Sequence, residues 1–360
     1  MTTLRIIFLL LALTLGTAAN GENKTGKTAP LFTSNEILEV TIRAPISAIM
    51  RDRSADEETP ATLTYIDAGA NEVTVDLGIR TRGRFRRNSE TCNWAPLRLN
   101  FKKRSAKKTV FAGSDKMKLV THCRKATPYF QALQSEYLAY RILNLVTDNS
   151  FRVRMLRITY VDTGRKDRES VQYAFIIEHK DQLAKRIGLD VVEIDRTRIE
   201  DLEARHTNLT SLYQYLIGNT DFSPIRAAPG ESCCHNYVLF GAEKGSFMPI
   251  PYDFDMAGLV DAPHAAPSMN FDIRSVRERL YRGRCINNEH VEASVQAFID
   301  NKEGVYDLVT SNEVYKSKTR RVTLGFLDDF YDVIESPERV QSDLIGECIG
   351  RPKPASRKES

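Results

Sequence analysis

Four short polar side chains that could carry chemistry lie within one loop-rich stretch of the sequence. They are Asp221, Asn236, Asp253 and Asp255, and each lies beside an apolar or aromatic residue. Carboxylate and amide oxygens are the hard ligands that magnesium takes, usually together with phosphate oxygens of a substrate. A further carboxylate can accept a hydroxyl proton during phosphoryl transfer. Asp and Asn are also common in turns, where they bond to nearby backbone, but the four together in this order favour a site.

The segments around these residues resemble the spore-coat-protein-H (CotH) kinase family. Its members are atypical protein-kinase-like proteins that are found on spores and among secreted proteins. The shared pattern is an Asn/Asp loop, then a His-Asn pair, then a Pro-aromatic-Asp-aromatic-Asp segment before a glycine. Here these are residues 219–221, residues 235–236 and residues 251–255, followed by Gly258. Weaker similarity upstream extends the resemblance over residues 73–258.

The resemblance implies a role for each matching residue. Asp221 would be the catalytic base that orients the acceptor hydroxyl, and Asn219 could share that role. Asn236 and Asp253 would be the metal ligands, with Asp255 as an alternative or additional one. The metal would be Mg²⁺ or Mn²⁺, and ATP would be the phosphate donor.

A kinase also needs a cation that holds the phosphates and is itself held by a carboxylate on a helix. Lys118 lies on a predicted strand just before a long predicted helix, and Glu136 lies within that helix among apolar neighbours. A carboxylate on a partly apolar face is costly unless it is paired, so we expect Lys118 and Glu136 to form an ion pair. Arg98 is the competing cation. The alternative is that Glu136 contacts a surface arginine such as Arg141.

Arginine alternates with other residues over residues 80–86. Alternate side chains of a strand project from one face, so the spacing predicts a stripe that contains Arg80, Arg82, Arg84 and Arg86. Gly83 would allow close approach of a ligand. Three interpretations stay open: Arg82 and Gly83 grip a phosphate, the charges protect an edge strand from aggregation, or the stripe binds a polyanion.

Hydrophobic periodicity predicts the elements that must position these residues. Period-two alternation predicts strands over residues 37–42, 61–66, 73–79, 96–101, 116–120, 151–160 and 172–178. A proline at a first-turn position predicts a helix over residues 128–146, and further helices are expected over 209–217 and twice after 287. This pattern is α+β. Together with the resemblance it predicts an atypical protein-kinase-like two-lobed fold, with a strand-rich N-terminal lobe and a mostly helical C-terminal lobe.

The start of the chain predicts export. Arg5, an apolar run over residues 6–15 and small residues over 16–19 form the pattern of a cleavable signal peptide. The run is shorter than the roughly 20 residues that span a bilayer, and no later stretch approaches that length, so we expect no transmembrane segment. The predicted division is a signal peptide (1–19), a flexible leader (20–35), one domain (36–350) and a disordered tail (351–360).

Cysteine usage and charge narrow the functional class. Six cysteines fit an oxidising compartment, so we expect a secreted, periplasmic or cell-envelope protein. Cys92 with Cys123 and Cys285 with Cys348 are plausible pairs, and the adjacent Cys233 and Cys234 are expected to pair elsewhere or stay free. The net charge of +4 is small for 360 residues, so it predicts no general nucleic-acid binding.

Two functions therefore compete. The first is nucleotide- and Mg-dependent transfer of a phosphoryl group to a protein Ser or Thr. The second is a catalytically silent secreted or envelope protein that uses the same fold for binding or structure, with a surface protein as its partner. Retention of the three residues Asp221, Asn236 and Asp253 favours the enzyme, and the lack of a kinase glycine loop favours the binding protein.

Overall fold

The computed structural model describes residues 26–54, 56–228, 230–242 and 245–350. The predicted signal peptide and tail lie outside the described residues. Within the predicted leader, residues Pro30–Phe32 form a short 3-10 helix. Its Leu31 and Phe32 are buried in the hydrophobic core of the β-barrel that is described below.

Ten strands and nine α-helices are found in the described part of the chain. The strands are β1 (Leu38–Ala44), β2 (Thr59–Ile66), β3 (Glu72–Thr81), β4 (Leu97–Phe101), β5 (Lys116–Thr121), β6 (Val153–Asp162), β7 (Arg168–Ile177), β8 (Asp190–Val192), β9 (Tyr237–Gly241) and β10 (Met248–Pro251). The helices are α1 (Ile46–Asp52), α2 (Lys103–Ala106), α3 (Thr127–Val146), α4 (Lys180–Ile187), α5 (Ala204–Ile217), α6 (Val291–Asp300), α7 (Lys302–Thr310), α8 (Ser317–Ile334) and α9 (Pro337–Arg339). The seven predicted strands coincide with β1 to β7 within a few residues, and the long predicted helix is α3.

The first seven strands form a closed barrel in the order β1-β2-β3-β4-β5-β7-β6. Neighbouring strands are antiparallel except β1 and β6, which are parallel, with Leu38 opposite Leu156 and Ala44 opposite Asp162. Because β1 is bonded on both sides, the barrel has no free edge. A separate antiparallel sheet has the order β10-β9-β8.

The wall formed by β5, β7 and β6 is buried on both faces along the second half of β7. Successive side chains of a strand point to opposite faces. Accordingly Ala174 and Ile176 of β7 belong to the core inside the barrel, whereas Phe175 and Ile177 belong to the core shared with the helices. Helix α3 packs on this wall, and Tyr213 of α5 donates a hydrogen bond to the Ala139 carbonyl of α3 at 2.7 Å.

The prediction of a kinase-like fold with two lobes is wrong. The strands close into a mixed barrel, and the helices share its outer wall instead of forming a separate helical lobe. The physical reason is the pairing of β1 with β6, which are far apart in the chain. Alternation within each segment indicates a strand but carries no information about a partner that distant.

The disulfide predictions are partly confirmed. Cys92 bonds to Cys123 and Cys285 bonds to Cys348. Cys233 and Cys234 bond to each other, so the expectation that they pair elsewhere or stay free is wrong. The other four cysteines are already paired, which leaves each of these two its sequence neighbour as the one available thiol.

No helix within the described ranges has both the length and the apolar character that crossing a membrane requires.

Candidate functional site

The hairpin of β9 and β10 brings Asn236 and Asp253 together. Asn236 immediately precedes β9 and Asp253 follows β10, and the Tyr252 N–H donates to the Asn236 carbonyl at 3.0 Å. Asn236 and Asp253 have φ values of 56° and 63°. Asn and Asp adopt this left-handed conformation more readily than most residues, and such positions cluster at functional sites.

The end of α5 positions Asp221. Gly218 ends the helix at a φ of 63°, where a side chain would be strained. Asn219, 1% exposed, donates from Nδ2 to the Gln214 side chain at 3.0 Å and accepts the Asp221 N–H at 2.9 Å. Asn219 is therefore placed to hold Asp221 in position, and its own amide faces the protein interior.

Asp221, His235 and Asn236 converge. The Asp221 carboxylate lies 2.8 Å from His235 Nε2 and accepts a hydrogen bond from Asn236 Nδ2 at 3.0 Å. The hydrogen bond to Asp221 raises the pKa of His235, and the charge of Asp253 contributes in the same direction. Because 43% of the Asp221 side chain stays exposed, its carboxylate is open to a substrate.

Asp253 differs from its neighbours because its carboxylate has no direct partner. Its backbone N–H donates to the Tyr140 hydroxyl at 2.8 Å. The side chain is half-buried and makes neither a hydrogen bond nor an ion pair with any residue in the described ranges. Burial raises the pKa of Asp253, as does Asp255, while the positive charges of Arg82 and Lys118 oppose the rise.

Asp255 and Glu136 share one arginine. Arg86 lies 3.7 Å from Glu136 and 3.6 Å from Asp255, and Asp255 lies 3.3 Å from His264 Nε2. Burial raises the pKa of Glu136 well above its usual value. Burial also acts to raise the pKa of Asp255, but the hydrogen bond from His264 and the charge of Arg86 outweigh it and leave that pKa lowered.

The predicted pairing of Glu136 with Lys118, Arg98 or Arg141 is therefore wrong. Glu136 is paired with Arg86, which lies beyond the end of β3, after the turn at Gly83. Asp255 is held by Arg86 and His264, so it lies in this cluster beside Asp253 and not with Asp221.

Lys118 instead lies against an aromatic ring. Its Nζ is 4.2 Å from the centre of the Tyr252 ring, a distance typical of a cation–π contact. Burial lowers the pKa of Lys118 to about 8, helped by Arg82 and opposed by Asp253. Arg98 of β4 is directly opposite Lys118 in the barrel, and burial lowers the pKa of Arg98 as well.

The four arginines of the predicted stripe do not lie on one strand, because the backbone turns soon after Arg80. β3 ends one residue after Arg80, and Gly83 then has a φ of 78°. Arg84 is exposed and pairs with Glu231, whereas Arg86 turns inward. The prediction that the four arginines project from one face is wrong, because residues beyond the strand no longer alternate.

Arg82 and Gly83 differ in their surroundings at this turn. Burial lowers the pKa of Arg82, and the negative charge of Asp253 opposes that effect. Arg82 therefore belongs to the cationic surroundings of Asp253. A side chain at Gly83 would meet no atom within 4 Å, so the positive φ, and not close approach of the protein, is what favours glycine there.

A cavity of about 300 Å³ opens beside Lys118 and Tyr252. Its apolar lining is Phe151, Ile177, Val191, Val192 and Val238, and its polar lining includes Arg98, Glu178, His179, Lys180 and Glu193. The Cys233–Cys234 disulfide also lines it. The carboxylate of Glu178 is bound by Arg186 at 3.0 and 2.9 Å, so it is not free for a ligand. Ligand sites of this size are common.

Sequence reasoning missed Arg86, His264 and Tyr252 as parts of the site. Tyr252 lies within the predicted motif, and its aromatic character was a usable signal. His264 is nine positions after its partner Asp255 (264 − 255), a spacing with no recognised chemistry. Arg86 was identified only as one member of the arginine alternation.

No family model matches this chain, and no curated protein matches it. Within the described residues, no group of three or more His, Cys, Asp or Glu side chains is arranged to hold a metal ion. A cation bound at Asp253 would therefore need further oxygens from an amide, from water or from a ligand.

Proposed function

We propose that this chain transfers a phosphoryl group from a nucleotide to a Ser or Thr hydroxyl of a protein, with a divalent cation. The observation that carries the proposal is the Asp253 carboxylate. It has no partner among the described side chains, it lies in the field of Lys118 and Arg82, and it is next to the Asp221–Asn236 pair. A half-buried carboxylate without a partner is costly, and a bound cation would remove that cost.

The cavity beside Tyr252 suits the base and sugar of a nucleotide. Its apolar side chains would contact a flat ring, and its polar rim would meet hydroxyl groups. Lys118 lines the same cavity and would meet the phosphates. Since its pKa is about 8, the charged form that attracts phosphate dominates at neutral pH and is lost as the pH rises through 8.

Asp253 and Asn236 would hold Mg²⁺ or Mn²⁺. Magnesium is usually bound by one or two carboxylates together with waters and substrate phosphates, and not by a complete protein cage. Two oxygen-bearing side chains on one hairpin fit that requirement. Bound there, the cation would neutralise charge on the phosphates.

Asp221 would orient the acceptor hydroxyl and receive its proton. The hydrogen bonds from His235 and Asn236 fix its orientation, and a fixed geometry is what proximity catalysis requires. His235 holds its proton more tightly because of its hydrogen bond to Asp221. The resemblance of these segments to the CotH kinase family supports the same assignment and remains a prediction.

Binding without transfer is the second candidate. Asp255 and Glu136 already have Arg86 and His264 as partners, so the protein supplies fewer free carboxylates than the sequence suggested. The three disulfides fit an oxidising compartment, where ATP is scarce. A protein there could keep the cavity for another nucleotide or phosphate compound.

The test is phosphoryl transfer from labelled nucleoside triphosphates with Mg²⁺ or Mn²⁺, measured on the chain itself and on added protein substrates. We expect Asp253→Asn to lower the rate roughly 100-fold, as loss of one charge-stabilising group does in other enzymes. Asp167→Asn is the matched control, because Asp167 also has a positive φ and lies in an exposed ion pair with Arg43. Asp167→Asn should retain the wild-type rate.

Two outcomes would contradict the enzyme. One is the absence of transfer by the wild type with every nucleotide, and the other is equal transfer by wild type and Asp253→Asn. Binding of a fluorescent nucleotide that Lys118→Met abolishes, without any transfer, would establish the second candidate instead.

A further inference from the structure

A second cavity, of about 470 Å³, lies at one end of the barrel. At this end β1, β5 and β6 finish, and β4 and β7 begin. Its walls are α1, the segment before β4, the segment after β5, and the turn between β6 and β7. It shares no lining residue with the cavity beside Tyr252, so it is independent of the proposed phosphoryl-transfer site.

Two buried residues that carry donor groups line this cavity. Trp94 and Tyr160 both line it, are 9% and 1% exposed, and have ring centres 5.1 Å apart. The indole Nε1 and the tyrosine hydroxyl are both buried, and neither has a hydrogen-bond partner among the described residues. Leaving such a group unpaired costs about 1–3 kcal/mol, and buried polar groups in proteins nearly always have a partner. Two together, in the wall of one cavity, point to a ligand.

The rim of the cavity is cationic. Four exposed side chains supply the positive charge, namely Arg51, Lys125, Arg165 and Arg168. None of them makes an ion pair within 4.0 Å with a described carboxylate.

Two carboxylates also line the cavity, but one of them is already engaged. Asp162 accepts hydrogen bonds from the Ser47 N–H, the Ser47 hydroxyl and the Gly164 N–H. Glu169 is the other, and it is exposed. Four cations against these two carboxylates leave the rim with an excess of positive charge.

We infer that this cavity binds a small organic oxyanion, with its acidic group between the cationic rim and the two buried donors. An indole N–H donates and cannot accept, and a tyrosine hydroxyl can donate, so both suit the oxygens of a phosphate, sulfate or carboxylate. The volume exceeds what a bare ion fills, so the acidic group is carried on a larger polar body. The polar side chains Ser47, Asn93 and Ser170 on the same wall can bond to hydroxyls of that body.

Trp94 makes the inference directly measurable. It is the single tryptophan of the chain, so intrinsic tryptophan fluorescence reports on this cavity alone. The probes are glucose 6-phosphate and glucuronate, which place a phosphate and a carboxylate on the same sugar, and unmodified glucose. We expect a saturable fluorescence change with at least one acidic sugar below about 10 mM, the range of weak specific sites, and none with glucose. The acidic sugar that binds more tightly identifies the head group.

Two variants test the two halves of the site. The double variant Arg165→Gln/Arg168→Gln should weaken binding at least tenfold. The control is the double variant Lys107→Gln/Lys108→Gln, which removes the same amount of charge from exposed positions near α2 and should leave the affinity unchanged. Tyr160→Phe should weaken binding severalfold. It should not lower the melting temperature of the free protein, since the hydroxyl it removes has no partner there.

Several results would overturn the inference. They are the absence of a saturable response to either acidic sugar, glucose binding as tightly as they do, equal weakening by the Lys107/Lys108 control pair, and unchanged affinity in Tyr160→Phe.

Discussion

Arg86 decides which carboxylates of the site remain available. It lies between Glu136 and Asp255, with side chains that are 12%, 3% and 16% exposed respectively. It also donates to the Thr121 carbonyl at the end of β5, which fixes the guanidinium in place. With Glu136 and Asp255 both paired with Arg86, Asp253 is left as the carboxylate of this cluster without a direct partner among the described residues.

We predict that Arg86→Met lowers the free energy of unfolding by about 3 kcal/mol, because it removes the ion-pair partner of the buried Glu136 and one of the two partners of Asp255. Urea denaturation followed by circular dichroism measures the change. Arg84→Met is the matched control: Arg84 is 84% exposed, and surface ion pairs contribute at most about 1 kcal/mol. Equal losses in the two variants would show that the Arg86 pairs do not stabilise the fold.

At the scale of elements, the site depends on how α5 and the segment after β10 meet. The Gly258 N–H donates to the Gly218 carbonyl at 3.1 Å, and the Leu259 N–H donates to the Ile217 carbonyl at 2.9 Å. These bonds join the end of α5, which carries Asp221, to the segment that carries Asp253. The glycine of the predicted motif is therefore a packing requirement of this junction.

We predict that Gly258→Ala costs at least about 2 kcal/mol of stability, in the range of overpacking substitutions. A methyl group there would lie 2.4 Å from the Val276 carbonyl oxygen and 2.9 Å from the Arg277 Cα, so backbone would have to move. Gly325→Ala in α8 is the control. It meets nothing within 4 Å and should raise stability by about 0.5–1 kcal/mol through helix propensity. A Gly258→Ala protein as stable as the wild type would contradict the close junction.

At the scale of the whole molecule, barrel closure decides the architecture. Arg43 of β1 is opposite Thr62 of β2 on one side and Val161 of β6 on the other. An open sheet would leave one of these sides free. By contrast, β10 is an edge strand of the second sheet and contains two prolines, Pro249 and Pro251, which edge strands tolerate.

We predict that Arg43→Pro lowers stability by about 3 kcal/mol or more, because proline removes a donor and distorts a strand bonded on both sides. Arg43→Ala removes an exposed ion pair with Asp167 at 2.6 Å and should cost less than about 1 kcal/mol. Thermal and urea unfolding of the two variants test the difference. If Arg43→Pro costs no more than Arg43→Ala, β1 is not bonded on both sides.

Local features were largely predictable from the sequence. The strand alternation identified β1 to β7, and proline in the first turn identified α3. The polar residues Asp221, Asn236 and Asp253 do converge near the ends of α5 and of one hairpin. Side-chain partners were less predictable. The partner of Glu136 was expected to be Lys118, on the strand just before the long helix, but it is Arg86, which lies in the loop after β3 where no strand alternation applies.

The sequence by itself determined the strands, the long helix and the polar residues around which the candidate site forms, since each follows from periodicity, composition or spacing within a short segment. It offered two of the disulfides only as plausible pairs. The tertiary structure alone decided that the barrel closes, that the helices share its wall, and that Asp255 has ion-pair partners while Asp253 has none among the described residues. These outcomes depend on contacts such as those between β1 and β6 and between Arg86 and Asp255, which join residues too far apart in the chain for a local pattern to record.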